Sequence, residues 1–68
     1  MNEYLQAVNL YYVNNIDLRY GQALFNKLVE MHPEVAEIVR GTTLDPFYWD
    51  KADVITKDFL VWVGKHLD

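Results

Sequence analysis

The sequence predicts a small all-α protein, a bundle of four helices, and three observations support this prediction. Apolar residues recur every three or four positions along most of the chain, which is the periodicity of a helix face. The breaks between these segments contain Asn-Asn, His-Pro and Arg-Gly pairs, which are typical of helix ends. With 68 residues, an apolar fraction of 51% and no repeat or linker, the chain is expected to form one helical domain, 1–68.

The first helix is predicted at 2–14. Its apolar residues have the spacing of one helix face: Tyr4, Leu5, Val8, Tyr11 and Tyr12. We expect Asn14 and Asn15 to end this helix, and Asp17 to cap the N-terminus of the next one.

The second helix is predicted at 18–31. Its core face is expected to comprise Leu24, Phe25, Leu28 and Met31. Gly21, in the first turn, costs about 1 kcal/mol relative to alanine. Either another helix crosses closely at Gly21, or a niche there allows Arg19 and Gln22 to donate to a carboxylate or phosphate.

The third helix is predicted at 33–40, because Pro33 suits a first helical position and Arg40-Gly41 a helix end. Its apolar face is predicted to be Val35, Ile38 and Val39. Glu34 and Glu37 complement the helix dipole. Together with Glu30 they form either a solvated acidic face or a patch that mimics nucleic-acid phosphates.

Asp45-Pro46 predicts a short helical turn at 46–49, and the last helix is predicted at 54–67. Phe47, Tyr48 and Trp49 cannot all point inward from one turn, because adjacent helical residues differ by about 100°. Trp49 is the residue we expect to meet a partner, so Trp49→Ala should weaken binding more than folding.

The last helix is apolar on two faces. One face is predicted to contain Phe59, Trp62, Val63 and His66, and the other Leu60, Gly64 and Leu67. Either this helix is central and packed from several directions, or the second face is the interface of a homodimer.

The charge balance limits the partners. Ten acids against six bases give a net charge of −4, which argues against direct binding of nucleic acid or of an anionic membrane. The longest apolar runs, 10–13 and 59–63, are too short to span a bilayer. With no secretory signal in the first residues, we expect a cytoplasmic protein.

Catalytic chemistry is not expected. The chain has neither serine nor cysteine, so the commonest nucleophiles are missing. His32 and His66 lack the spacing of metal ligands, and the order of the carboxylates of Asp45, Asp50, Asp53 and Asp58 does not fit a calcium loop. We therefore predict no enzyme activity, no metal and no cofactor.

Two stretches, 16–28 and 33–48, resemble small, largely uncharacterised phage-encoded proteins. Those proteins share an R-x-G-Q-x-x-x-N-x-L stretch, then G-T-x-x-D-x-F-Y and a final F-L helix, so the likeness covers about 16–63. The matching positions are Arg19, Gly21, Gln22, Asn26, Gly41, Thr42, Asp45, Phe47 and Tyr48. The resemblance implies a phage or prophage origin and no established active site.

The functional expectation is a non-enzymatic phage accessory protein that binds a host protein stoichiometrically, as an inhibitor of a bacterial defence system. The residues expected to bind the partner are Trp49, Tyr48, Arg19, Gln22, Glu34 and Glu37. One alternative is a binder of a nucleotide signal through Arg19, Gln22 and aromatic stacking. Another is a structural or assembly protein.

Overall fold

The protein folds into helices throughout the part that the structure describes. A computed structural model describes residues 2–42 and 54–67, and the statements below concern these residues. The helices are α1, Asn2–Asn14; α2, Tyr20–Met31; α3, Pro33–Val39; and α4, Val54–Leu67. The predicted all-α bundle of four helices is thereby confirmed. The short turn predicted at 46–49 lies outside the described residues.

The turn between α1 and α2 is stabilised by asparagine side chains. Asn14 Nδ2 donates to the carbonyl oxygen of Leu10 at 2.9 Å, and Asn15 Nδ2 donates to that of Tyr11 at 2.8 Å. The second bond satisfies a carbonyl group in the last turn of the helix, which would otherwise lack a helical partner. The predicted break at the Asn-Asn pair is confirmed.

The start of α2 differs from the prediction. The helix begins at Tyr20, and the capping residue is Arg19, whose backbone is extended, so the predicted cap at Asp17 is wrong. The physical reason is that Gln22, inside the helix, reaches back and accepts a hydrogen bond from the Arg19 N–H at 3.0 Å. This bond fixes the first turn two residues later than a cap at Asp17 would.

A single residue separates α2 from α3. His32 follows the last residue of α2 and precedes Pro33, which is the first residue of α3 as predicted. The proline keeps His32 out of helical geometry. The N–H of His32 still donates to the carbonyl oxygen of Leu28 at 2.7 Å, so α2 is hydrogen-bonded up to the junction.

One apolar core joins the four helices. α2 contacts both α1 and α3, and α4 contributes Phe59 and Val63. The other buried apolar residues are Tyr4, Val8, Tyr20, Ala23, Leu24, Phe25, Leu28, Val35, Ala36 and Val39. The predicted core faces of α1 and α2 are confirmed, since their remaining members, Leu5, Tyr11, Tyr12 and Met31, are half-buried against this core.

The predicted apolar face of α3 is wrong at one position. Val35 and Val39 are buried, but Ile38 is 57% exposed and Ala36 is buried instead. The face toward α2 is centred between Val35 and Ala36, and Ile38 lies about 100° away around the helix. Ile38 therefore points to solvent.

The second face of α4 packs partly within the chain. Leu60 and Leu67 are half-buried and lie against the core, and Gly64 is half-buried beside them. Among residues 56–67, Val61 is a large apolar side chain that is exposed. Packing in the core accounts for much of the apolar character of Leu60 and Leu67, and their assignment to a homodimer interface stays a prediction.

Candidate partner-binding surfaces

The N-terminus of α2 holds two of the predicted partner-binding residues, Arg19 and Gln22. Arg19 is exposed, whereas Gln22 is half-buried with its side-chain oxygen bonded to the Arg19 N–H. This is one half of a capping box. The other half cannot form, because a guanidinium group has no acceptor atom. The Gln22 side chain thus stabilises the start of α2, and this structural role is separate from the partner-binding role that the sequence motif suggested.

Gly21 decides between the two explanations for a glycine in the first turn of α2. The residue is buried. Burial favours close packing at Gly21 over an open niche for an anion. The nucleotide-binding alternative loses the open niche at Gly21, although the Arg19 guanidinium and the Gln22 side-chain NH2 group still carry donors.

The acidic residues around the α2–α3 junction are partly neutralised. Lys27 Nζ lies 2.8 Å from Glu30 Oε2, and Arg40 Nε lies 3.2 Å from Glu37 Oε1. Both pairs have three-residue spacing, which brings side chains together on a helix surface. Exposed pairs of this kind contribute about 0–1 kcal/mol to stability, but they reduce the net charge of the patch. A mimic of nucleic-acid phosphates is therefore less well supported than a mixed surface.

Sequence reasoning missed the pairing of Arg40, although its spacing from Glu37 was a usable signal. The Arg40 guanidinium also lies over the Phe25 ring, 5.2 Å from its centre. Lys27 is held similarly, with Nζ 4.9 Å from the centre of the Tyr11 ring. Each cation is therefore placed by an aromatic ring as well as by its carboxylate partner.

Three exposed residues form a continuous surface on α3, which we call the α3 outer face: Glu34, Glu37 and Ile38. Ile38 follows Glu34 by four positions and Glu37 by one, so the three side chains share about one third of the helix circumference. An exposed apolar side chain thus lies beside two carboxylates, at one edge of this surface. Glu34 and Glu37 were predicted as partner-binding residues, and Ile38 joins them because it lies outside the core.

The predicted partner-binding residues come from three parts of the chain. Arg19 and Gln22 lie at the N-terminal end of α2, and the α3 outer face follows its C-terminal end. α3 packs back against α2, since the Arg40 guanidinium, which is paired with Glu37, lies over the ring of Phe25 in the middle of α2. Tyr48 and Trp49 lie outside the described residues.

A second exposed apolar surface was not anticipated from the sequence. Leu10 and Val13 of α1 are 67% and 68% exposed, and we call these two residues the α1 outer face; Ile16, in the turn after α1, is 83% exposed. Their three-residue spacing, at positions that do not belong to the predicted core face of α1, could have indicated this surface. The sequence pattern had assigned the run 10–13 to a helix without separating its buried members from its exposed ones.

Within 2–42 and 54–67, no cluster of three or more histidine or acidic side chains is arranged to hold a metal ion. The same part of the chain contains no helix with the length and apolar character needed to cross a membrane. Comparison with known protein families, curated proteins and solved structures finds no match. The likeness to phage-encoded proteins therefore stays a prediction from the sequence.

Proposed function

We propose that this chain is a non-enzymatic phage accessory protein that binds a host protein stoichiometrically and inhibits a bacterial defence system. The observation that carries the binding role is the α3 outer face, where the exposed Ile38 lies on the same side of the helix as the exposed Glu34 and Glu37. The phage origin and the defence-related target come from the resemblance in 16–63. The absence of serine and cysteine from the sequence supports the non-enzymatic part.

The α3 outer face has the composition of a small contact surface. Transferring an isoleucine side chain from water into an apolar pocket contributes about 1.5–3 kcal/mol. Carboxylates beside such an anchor select a partner with basic residues around the pocket, and they raise the rate of association. The net charge of −4 acts in the same direction at longer range. The partner that fits is a protein with an apolar pocket and a basic rim.

A tagged chain expressed in a bacterial host tests this proposal. We expect one host protein to remain bound through purification, with a complex mass by light scattering that corresponds to a 1:1 ratio. Ile38→Glu, and separately Glu34→Lys with Glu37→Lys, should each remove this protein, because the first inserts a charge into the pocket and the second opposes the basic rim.

The matched control variants are Val61→Glu on α4 and the double variant Glu3→Lys with Asp17→Lys, which make the same changes of charge at exposed positions outside α3. Both should retain the partner. Partner retention by Ile38→Glu would overturn the assignment of the α3 outer face. Recovery of no stoichiometric host protein, together with unchanged phage growth in defended cells, would overturn the proposed function itself.

A further inference from the structure

Three exposed residues form a row along α4, which we call the α4 outer face: Lys57, Val61 and Lys65. Because they are spaced by four residues, their side chains follow one another within about 80° of the helix circumference. The buried residues Phe59 and Val63 lie on the opposite side of this helix. The exposed side chain of Val61 therefore lies between two ammonium groups and is directed away from the core.

The lysines of the α4 outer face are available to a second molecule. Among the described residues, Lys57 and Lys65 have no ion pair, whereas Lys27 and Arg40 are each paired with a carboxylate. The exposed Asp58 lies at one edge of this face. Two lysines against one aspartate leave a surplus of positive charge on the α4 outer face, in a chain whose net charge is −4.

The α3 outer face carries the complementary pattern. Its exposed apolar side chain is Ile38, and Glu34 precedes Ile38 by four residues. The same interval separates Val61 from each lysine of the α4 outer face. Four residues correspond to a rise of about 6 Å in either helix. When Ile38 contacts Val61, the carboxylate of Glu34 therefore lies level with one of the two lysines.

We propose that the α3 outer face of one copy of this chain binds the α4 outer face of a second copy. Ile38 of the first copy packs against Val61 of the second, and Glu34 of the first copy pairs with a lysine of the second. Complementary charge and matched spacing identify the occupant as a second copy, because opposite charges fix the register of an interface.

The contact is a reversible one. Each face offers one large exposed apolar side chain, and an exposed ion pair adds little to stability. Contacts of this small size are typical of transient associations. Because the α3 outer face is also the surface proposed for the host protein, a second copy and the host protein exclude each other. Only this last consequence rests on the proposed function.

Analytical ultracentrifugation of the purified chain, from about 10 µM to about 1 mM, tests the contact without any host protein. The wild-type protein should associate within this range. Ile38→Glu places a carboxylate against Val61, and Val61→Glu places one beside Glu34, so each should weaken association by about tenfold or more. Leu10→Glu, at an exposed apolar position on α1, is the matched control and should associate as the wild type does.

A mixing experiment identifies the two faces. Ile38→Glu protein keeps its α4 outer face, and Val61→Glu protein keeps its α3 outer face. At a concentration where each variant alone is monomeric, the mixture should therefore contain a one-to-one complex. Association of like faces, or a folding defect in either variant, would not produce this complex.

Reversal of one charge on each face identifies the ion pair. Glu34→Lys should weaken association, because it opposes the lysines of the α4 outer face. Adding Lys65→Glu should restore association if the two helices are antiparallel, and adding Lys57→Glu should restore it if they are parallel. Each double variant keeps the net charge of the wild type. Glu3→Lys with Lys65→Glu has the same net charge and should remain weak.

The inference fails on any of four results. One is a wild-type protein that is monomeric over the whole range. The second is association that survives both Ile38→Glu and Val61→Glu. The third is the absence of a complex on mixing, and the fourth is that neither lysine reversal restores association.

Capture of the host protein is read separately. Val61→Glu protein keeps the α3 outer face, so it should capture the host protein even though it no longer associates with itself. Host capture without self-association of the wild type would reject only the contact between copies. Self-association without host capture would reject only the proposed function.

Discussion

The hydroxyl of Tyr4 donates a 2.6 Å hydrogen bond to the backbone carbonyl oxygen of Leu24, and this bond joins α1 to α2 inside the core. Tyr4 is 1% exposed and is the largest fully buried side chain in the described part of the protein. Its ring also meets that of His32 edge to face, with centres 6.4 Å apart. One aromatic side chain of α1 thereby contacts both α2 and the residue that begins the turn into α3.

Replacing Tyr4 by phenylalanine isolates the contribution of the hydrogen bond. We expect Tyr4→Phe to lower the free energy of unfolding by about 1 kcal/mol. The loss is small because the Leu24 carbonyl is inside α2 and keeps its helical hydrogen bond. Tyr4→Ala should cost about 3–5 kcal/mol through the cavity it leaves. Urea unfolding followed by circular dichroism measures both, and equal losses would show that the hydroxyl, not the ring, dominates.

The same residue predicts a loss of stability at alkaline pH. Burial raises the pKa of Tyr4, and the nearby Tyr20 raises it further; burial and the nearby Tyr12 likewise raise the pKa of Tyr20. The unfolded chain ionises these phenols above about pH 10, whereas the folded protein keeps the protons. The unfolded state then binds fewer protons, so the free energy of unfolding falls as pH rises.

This stabilising contribution is fully present below about pH 10 and is lost above it, at up to about 1.4 kcal/mol per pH unit for each phenol. Urea unfolding at a series of pH values from about 8 to about 11 measures the slope. Tyr4→Phe should reduce the slope above pH 10, because one buried phenol is missing. An identical slope in the variant and the wild type would contradict the assignment to Tyr4.

The sequence was sufficient for the fold because its helix ends are marked by residues with local effects. Pro33 fixes the start of α3, and the Asn15 side chain satisfies a carbonyl in the last turn of α1, whatever the rest of the chain does. The prediction of Asp17 as the N-cap was wrong because more than one residue near the start of a helix can satisfy its first N–H groups. In the structure, the Gln22 side chain accepts the hydrogen bond of the Arg19 N–H from inside the helix. Tertiary packing decides between a cap at Asp17 and this arrangement.

The candidate surfaces were harder to predict, because exposure depends on which side of each helix meets its neighbours. Ile38 and Val39 are both apolar and adjacent, yet one is exposed and the other is buried. A short helix offers too few turns for the apolar pattern to define its buried face. The exposure of Leu10 and Val13 on α1 was also difficult to predict, because apolar residues such as these resemble core residues until the position of α2 is known.

The end of α3 gives a prediction about backbone geometry. Gly41 has φ of 74°, and the Thr42 N–H donates to the Val39 carbonyl oxygen at 3.0 Å. With the preceding residue at φ −56° and ψ 126°, this is the geometry of a type II turn, which favours glycine at its third position. A side-chain Cβ at Gly41 would meet no heavy atom within 4 Å in the described part of the chain.

Because there is no steric clash, Gly41→Ala should cost only the conformational strain, about 1 kcal/mol. Gly41→Asn should cost less, since asparagine tolerates the left-handed region better. Thermal unfolding of the three proteins provides the ranking. If Gly41→Asn were the less stable of the two variants, contact with the rest of the protein rather than φ would control this position.

Gln22 offers a way to separate stability from partner binding. The structure gives its side-chain oxygen a capping role, and the sequence motif suggests a partner-binding role as well. Gln22→Ala should lower the free energy of unfolding by about 0.5–1 kcal/mol, because the Arg19 N–H loses its acceptor. Gln22→Glu should be at least as stable as the wild type, since a carboxylate accepts the same bond and complements the N-terminal end of the helix dipole.

These two variants give opposite results for the two roles. If Gln22 only caps α2, Gln22→Glu should hold the host protein as tightly as the wild type does, and Gln22→Ala should lose affinity only in proportion to its loss of folded protein. If the amide group donates to the partner, Gln22→Glu should fold normally and bind at least about tenfold more weakly, because a carboxylate cannot donate. Urea unfolding and titration calorimetry with the purified host partner decide between the two outcomes.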